Sequence, residues 1–145
     1  MQDKLERTVL RLIERSRTFR LQCAAIGAVP SVHVSLRLAS GLGALVRART
    51  ELATYPDGRT RATINVPVSR DLPELMAHEF EHVIEHLDGI RLRTAAPASR
   101  GLIDVGGDAY ESKRAIVAGR AAAMEVDRFK ASPLSHGASP VIRRP

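Results

Sequence analysis

Residues 78–89 read HEFEHVIEHLDG, so three histidines and three glutamates fall within twelve positions. His78 and His82 are four residues apart, and on a helix their rings would project from one face about one turn apart. Two imidazoles at this spacing can bind a single zinc ion, each at about 2.0–2.1 Å. Glu79 would lie beside the open coordination position, where it could take a proton from a water whose pKa the metal lowers to about 7.

The spacing of these three residues is the HExxH pattern of zinc peptidases. With five histidines and nine glutamates in 145 residues, random shuffling would give on the order of 0.01 such matches. The alternative is a solvated helix face that is rich in histidine and glutamate. The motif lies within a helical pattern, and its histidines are offset from the apolar positions. We therefore interpret it as a metal site.

The segment from Asp71 to Asp88 has the hydrophobic period of a helix. Asp71 and Glu74 have the spacing of a capping box, Pro73 is acceptable in a first turn, and Gly89 would end the helix. The predicted buried stripe consists of Leu72, Leu75, Met76, Phe80, Val83, Ile84 and Leu87.

A zinc site of this kind needs a third protein ligand. With the metal midway between the two histidines, Glu85 would start about 7–8 Å and His86 about 9 Å further along the helix, from its rise per residue. Neither reaches back on a straight helix, so we expect each to support an imidazole N–H or to pair with an arginine. Asp88 has the spacing of the third ligand in metzincin-like enzymes, but those need a glycine where Glu85 stands.

The stretch GGDAYESKRAIVAGR offers Glu111 from a second helix, which we predict from Asp108 to Phe129. A glutamate in a following helix is the third ligand of the gluzincin class. Asp108 and Glu111 also have capping-box spacing, so closing the first turn of that helix is an alternative role for Glu111. Asp108 and Asp104 are the other candidate ligands.

The rest of the chain predicts an α+β fold around these helices. Residues 3–26 have helical period. Segments with the two-residue period of strands are residues 31–38, 44–55 and 60–68. The turn Tyr55–Gly58 predicts a hairpin between the last two, and Pro67, which cannot donate to a ladder, predicts an edge position for the third. His33, on the first strand, is expected to be an ordinary surface or satisfied histidine.

We expect a single domain over residues 1–130. It would contain an N-terminal helix, a small and mainly antiparallel sheet of three or four strands, the HExxH helix and the second ligand-bearing helix. IRLRT, residues 90–94, is a candidate short strand, and residues 95–107 read as a loop. Residues 131–145, which include His136, are expected to be a flexible tail.

Composition limits the other classes of function. The chain has 19 arginines, 3 lysines and a formal net charge of +6, but the arginines are scattered and aromatic residues make up only 3%. This argues against a nucleic-acid surface. The single cysteine, Cys23, excludes an internal disulfide and a four-cysteine zinc site. With no apolar run of about 18 residues and no apolar signal segment at the start, we expect no membrane span and a cytoplasmic location.

The stretches LMAHEFEHVIEHLDG and AYESKRAIVAGRAAAMEV resemble a group of small bacterial HExxH proteins of the zincin-like, gluzincin type. In that group the active helix typically reads HELxHxxE, and a downstream helix with ET or ES follows. SRTFRLQC resembles their N-terminal helix, so the likeness covers most of residues 15–126. The chain is similar, more distantly, to the ImmA/IrrE-type peptidases. The resemblance implies motif roles for His78, Glu79 and His82 and the downstream ligand role for Glu111, which ES in place of ET leaves intact.

We therefore predict a zinc-dependent metallopeptidase that acts on a peptide or protein substrate. The predicted Zn²⁺ ligands are His78, His82 and Glu111. Glu79 would activate water, and Tyr110 could donate a hydrogen bond to an oxyanion, although a packing role is its alternative. Arg114 could orient Glu111 or Glu85, or face solvent. ATINVPV, residues 62–68, is a candidate strand for binding substrate by strand addition. The alternative function is a non-catalytic zincin-like metal-binding module that acts in protein or nucleic-acid interaction.

Overall fold

The computed structural model describes residues 2–39, 48–90, 102–104 and 110–131 and has the predicted α+β fold. Its helices are α1 (Gln2–Arg15), α2 (Arg17–Gly27), α3 (Leu72–Leu87) and α4 (Lys113–Ala131). Its strands are β1 (Val32–Leu38), β2 (Arg49–Thr54), β3 (Thr60–Val66), β4 (Leu102–Asp104) and β5 (Tyr110–Ser112). None of these helices is both long and apolar enough to cross a membrane. The predicted tail beyond residue 131 and the predicted strand beyond Ile90 lie outside the described residues.

The strand β3 lies at the centre of a three-stranded sheet with the order β1-β3-β2. It pairs parallel to β1 and antiparallel to β2, so the sheet is mixed rather than mainly antiparallel. The predicted edge position of this strand is wrong. Pro67 follows the last residue of β3, Val66, and therefore removes no hydrogen bond from inside the ladder. Within the described part of the chain, β2 is an edge strand.

The predicted hairpin joins β2 to β3. The amide of Gly58 donates to the carbonyl of Tyr55 at 2.9 Å. Gly58 has a φ of +84°, a conformation that glycine adopts without strain. The turn sets a register in which Thr50 faces Ile64 and Thr54 faces Thr60.

The hydrophobic core lies between the sheet and the helices. Alternate residues of β3 are buried, and Ala62, Ile64 and Val66 are fully enclosed. The predicted stripe of α3 packs in this core: five of its seven residues are buried, and Ile84 and Leu87 are partly buried. This packing fixes which face of α3 is left for His78 and His82.

The N-terminal segment forms two helices rather than the single helix predicted over residues 3–26. Ser16 separates them with an extended backbone, and its Oγ accepts a hydrogen bond from the amide of Phe19 at 3.0 Å. The same hydroxyl donates to Glu125 of α4 at 2.6 Å, and the amide of Thr18 also donates to Glu125. The hydrophobic period continues through the break, so periodicity alone does not reveal it.

The helix α3 begins and ends within one residue of the predicted bounds. Asp71 occupies the N-cap position, but its side chain makes no capping hydrogen bond, so the predicted capping box does not form. Pro73 lies in the first turn, as expected. Gly89 ends the helix with a φ of +82°, the left-handed conformation common after a helix C-terminus.

The helix α4 begins at Lys113, five residues later than predicted. Ser112 caps it, because its Oγ accepts a hydrogen bond from the amide of Ala115 at 3.0 Å. Glu111 lies instead in β5, opposite Ile103 of β4. Part of the predicted loop over residues 95–107 is therefore a strand, and the capping role considered for Glu111 belongs to Ser112.

Gly119 permits a close approach between α4 and α3. A Cβ atom at this position would lie 2.8 Å from the carbonyl oxygen of Glu74 and 3.2 Å from the Cβ of His78. Both distances are shorter than ordinary contacts, so a side chain here would push the helices apart. The small residue therefore sets the separation between the helix that carries His78 and the helix that follows Glu111.

Candidate metal centre

The two motif histidines project from one face of α3. Their Nε2 atoms lie 3.1 Å apart, and the rings meet edge to face with centroids 4.8 Å apart. The side chain of Glu79 completes a group whose candidate ligand atoms all lie within 4.8 Å of one another. The helical spacing thus brings His78, Glu79 and His82 together as the sequence predicts.

Glu85 orients the ring of His82. A carboxylate oxygen of Glu85 lies 2.9 Å from Nδ1 of His82. Because an ionised carboxylate only accepts hydrogen bonds, Nδ1 of His82 carries a proton, which leaves Nε2 of the neutral ring as the nitrogen that could bind a metal. Glu85 therefore supports an imidazole N–H, which is one of the two roles expected from its distance along the helix.

Glu111 reaches His78 from β5. Its Oε2 lies 2.7 Å from Nε2 of His78. The same oxygen is buried and accepts no hydrogen bond of ordinary geometry from the part of the chain that the structure describes. Nε2 of His78 is therefore close both to Nε2 of His82 and to this acceptor oxygen, so these three atoms could bind one cation.

Negative charge is concentrated around the nitrogens of His78 and His82. Glu79 is 5% exposed and Glu85 is 1% exposed, and the carboxylate of Glu111 lies beside them. Neutral imidazoles would leave these carboxylates without compensating charge from the histidines, and buried charges are normally paired or bound to metals. A divalent cation between His78, His82 and Glu111 would supply the missing positive charge.

The nearby carboxylates also affect the pKa of His82. Burial by itself lowers the pKa of the imidazole, but the hydrogen bond to Glu85 and the charges of Glu79, Glu85 and Glu111 outweigh it. The pKa of His82 is therefore raised. Burial would raise the pKa of Glu111, but its contact with His78 and the charge of His82 lower it. The centre thus favours a protonated His82 and an ionised Glu111.

Glu79 is held from the sheet side. Its Oε2 accepts a hydrogen bond from the hydroxyl of Thr50 on β2. A carboxylate oxygen of Glu79 also lies within 4.8 Å of the candidate ligand nitrogens of His78 and His82. This is the place required of a base that takes a proton from water beside the metal.

Arg114 does not contact Glu111. Its Nε donates to Glu81 at 2.6 Å and its Nη1 donates to Asp88 at 2.8 Å. These contacts link the first turn of α4, which directly follows β5, to α3. Asp88, considered as a metzincin-type ligand, therefore belongs to this ion-pair cluster.

The remaining candidates from the sequence lie elsewhere or are not described. His33 is exposed on β1. His86 lines a cavity of about 420 Å³ with Thr54 and Thr60 near the hairpin turn. Tyr110 and Asp104 pair with each other in the β4–β5 ladder, and the role proposed for the Tyr110 hydroxyl stays a prediction. Residues 108 and 136 lie outside the described residues.

Two contributing residues were not identified from the sequence. Ser112 could have been found, because serine is a preferred N-cap residue and a helical pattern follows it. Thr50 carried no local signal, because its contact with Glu79 depends on how β2 packs against α3.

Comparison of the chain with protein-family models, with curated proteins and with solved structures found no match.

Proposed function

We propose that this protein is a zinc-dependent metallopeptidase. One observation carries the proposal: the Nε2 atoms of His78 and His82 lie 3.1 Å apart, a carboxylate oxygen of Glu111 lies 2.7 Å from Nε2 of His78, and the buried carboxylate of Glu79 lies within 4.8 Å of the histidine nitrogens. Two imidazoles and one carboxylate form a ligand set of catalytic zinc sites, in which a fourth position stays open. The resemblance to gluzincin-type HExxH proteins leads to the same proposal, and we propose membership of that group.

The zinc ion, when bound, supplies Lewis-acid activation of a water molecule and of the substrate carbonyl. His78, His82 and Glu111 would hold it, with Glu85 fixing the ring of His82. Glu79 would take the proton from the water as it attacks the carbonyl carbon of the peptide bond. Glu79 would then pass this proton to the nitrogen of the leaving amine, so that one carboxylate serves as base and then as acid.

The position of β2 favours a peptide as the substrate. This edge strand contacts Glu79 through Thr50, and β3 is its partner strand within the described ranges. An extended peptide could add to the other edge of β2 through backbone hydrogen bonds. The segment ATINVPV, considered earlier for this role, forms the central strand and has partners on both sides, so we assign substrate addition to β2.

The test combines zinc binding with peptide cleavage. Purified protein is titrated with Zn²⁺ and then incubated with a mixed peptide library, with mass spectrometry of the products. We expect one zinc ion per chain, cleavage that a chelator abolishes, and a loss of about 10²-fold or more in the rate for Glu79→Gln. The matched control is Glu14→Gln, which alters an exposed glutamate of α1 that pairs with Arg15.

Cleavage that persists unchanged in Glu79→Gln would remove the proposed mechanism. Stoichiometric zinc binding without cleavage of any library peptide would favour the non-catalytic metal-binding module instead. A chain that binds no divalent metal at micromolar concentration would exclude both functions.

A further inference from the structure

Thr50 stands apart from the other residues of β2. It is partly buried, whereas the remaining residues of the strand are exposed. Its hydroxyl donates a hydrogen bond to Oε2 of Glu79 across 29 positions of sequence. The edge strand is thus connected to the proposed catalytic base by a side-chain hydrogen bond.

The register of the sheet explains why Thr50 reaches α3. Thr50 lies opposite Ile64 in the antiparallel ladder, and residues directly opposite each other project to the same face. Ile64 is fully buried beneath the helices. Leu52 projects to this face as well, but it is 37% exposed, so α3 does not cover the whole strand. The contact is therefore specific to the end of β2 that lies beside Glu79.

We propose that Thr50 is a positioning residue for Glu79. Its hydroxyl holds one carboxylate oxygen, which fixes the plane of the carboxylate and leaves the second oxygen to take a proton from water. Because Thr50 belongs to the strand that we assign to substrate addition, it also fixes the position of the Glu79 carboxylate relative to a peptide bound along β2. The catalytic consequence rests on the proposed peptidase function, whereas the coupling between the two side chains does not.

The simpler alternative is a hydrogen bond that merely satisfies a buried carboxylate. The two roles differ in what they alter. A positioning role affects the rate of the chemical step, because the base acts in the transition state, and it leaves substrate affinity unchanged. A purely structural role affects the stability of the fold and leaves the rate per folded molecule unchanged.

The kinetic test uses Thr50→Val, which keeps the shape of the side chain and removes the hydroxyl. We expect kcat to fall about tenfold with KM unchanged, since misplacing a general base forfeits part of its 10²–10⁴-fold contribution. Thr50→Ser, which restores a hydroxyl, should recover most of the rate. The matched control is Thr8→Val in α1, which removes a threonine hydroxyl that donates to the carbonyl of Lys4 and should keep the wild-type rate.

Zinc titration of the same variants distinguishes an effect on the base Glu79 from an effect on metal binding. The hydroxyl of Thr50 hydrogen-bonds to Glu79, which is not one of the proposed zinc ligands, so Thr50→Val should bind Zn²⁺ with wild-type affinity. A fall in zinc affinity that matches the fall in kcat would overturn the proposal, because the substitution would then act through the metal centre. A wild-type kcat in Thr50→Val would also overturn it.

A double-mutant cycle on the metal-free protein tests the coupling without any activity. We expect Thr50→Val to lower the melting temperature by on the order of 3 °C in the wild-type background and by much less in Glu79→Ala. Equal shifts in both backgrounds would show that the side chains are not coupled and would overturn the inference. If the wild-type protein cleaves no peptide, the peptidase proposal fails, and this cycle alone decides whether Thr50 holds Glu79.

Discussion

Nδ1 of His82 lies 2.9 Å from a carboxylate oxygen of Glu85, whose side chain is almost completely enclosed. The hydroxyl of Ser112 also hydrogen-bonds to Glu85. Burial would raise the pKa of this carboxyl, but the hydrogen bonds from His82 and Ser112 and the charges of His82 and Arg114 lower it, so Glu85 stays ionised. Since Ser112 follows Glu111 directly, one buried carboxylate connects the two segments that would supply the metal ligands.

Glu85→Gln should weaken zinc binding about 10–100-fold, the usual cost of losing a hydrogen-bond partner behind a metal-bound histidine. The amide is neutral, so it makes the ring of His82 a poorer donor to the metal even if the ring keeps its orientation. Competition with a chromophoric chelator at neutral pH measures the affinity. Glu125→Gln is the control, because Glu125 bonds to Ser16 and Thr18 far from the centre. Equal affinities in wild type and Glu85→Gln would contradict this role.

Glu111→Ala should weaken zinc binding more than Glu85→Gln does, by more than about 100-fold, because it removes a ligand rather than a support for one. The same competition titration measures the effect. Asp104→Ala and Asp108→Ala are the informative controls, since these residues were the other candidates from the sequence. We expect both to bind zinc normally. Normal binding by Glu111→Ala together with a loss in either control would move the third ligand to that aspartate.

Gly119→Ala should destabilise the protein although alanine favours helices. The new Cβ would lie 2.8 Å from the carbonyl oxygen of Glu74, a backbone atom that cannot move without shifting α3. Overpacking of this kind costs about 1–3 kcal/mol, against a helix-propensity gain of about 1 kcal/mol. Thermal unfolding measures the balance, and zinc titration should show weaker binding because His78 is displaced.

Gly27→Ala is the matched control for Gly119→Ala. Gly27 is the last residue of α2, and a Cβ there would meet nothing within 4 Å. We expect an unchanged or slightly raised melting temperature and unchanged zinc affinity. If Gly119→Ala behaves in the same way, the close approach of α4 to α3 does not limit the position of His78.

The relationships that the sequence predicted are the local ones. His78, Glu79 and His82 belong to one helix, so helical period alone places them together. Glu111 was chosen for its residue type and its place after α3, but the strand that carries it was mistaken for a helix. The contact between Thr50 and Glu79 could not be predicted, because it requires the packing of β2 on α3.

The break in the N-terminal helix at Ser16 could not be predicted either, because it also depends on a contact between residues that are distant in sequence. Ser16 interrupts a continuous hydrophobic period, and its partner Glu125 lies 109 positions away. Periodicity reports which residues face the core, and it does not report a distant carboxylate that replaces intrahelical hydrogen bonds. A long-range polar contact therefore accounts for the unpredicted break at Ser16, whereas the apolar pattern predicted the existence and type of the main helices.

We expect the contacts of Glu125 at the start of α2 to make the stability of the folded protein depend on pH. Burial would raise the pKa of its carboxyl, but hydrogen bonds from Ser16 and Thr18 and the charge of Arg20 lower it below 4.5. A lowered pKa in the folded state means that the stabilisation is present in full above the unfolded pKa and is lost as the pH falls through the folded value. Glu125→Gln should therefore lower the melting temperature most above pH of about 4.5.

The measurement is thermal unfolding of wild type and Glu125→Gln between neutral pH and about pH 3, with a chelator present so that bound metal does not contribute. The gap between the two melting temperatures should narrow as the pH falls, since protonated Glu125 loses the advantage of its charge. Other carboxylates titrate in both proteins and cancel in the difference. Glu14→Gln, at an exposed glutamate of α1, is the control and should change the melting temperature little. A gap for Glu125→Gln that stays constant to the lowest pH would show that the ionised form of Glu125 adds nothing at the junction between α1 and α2.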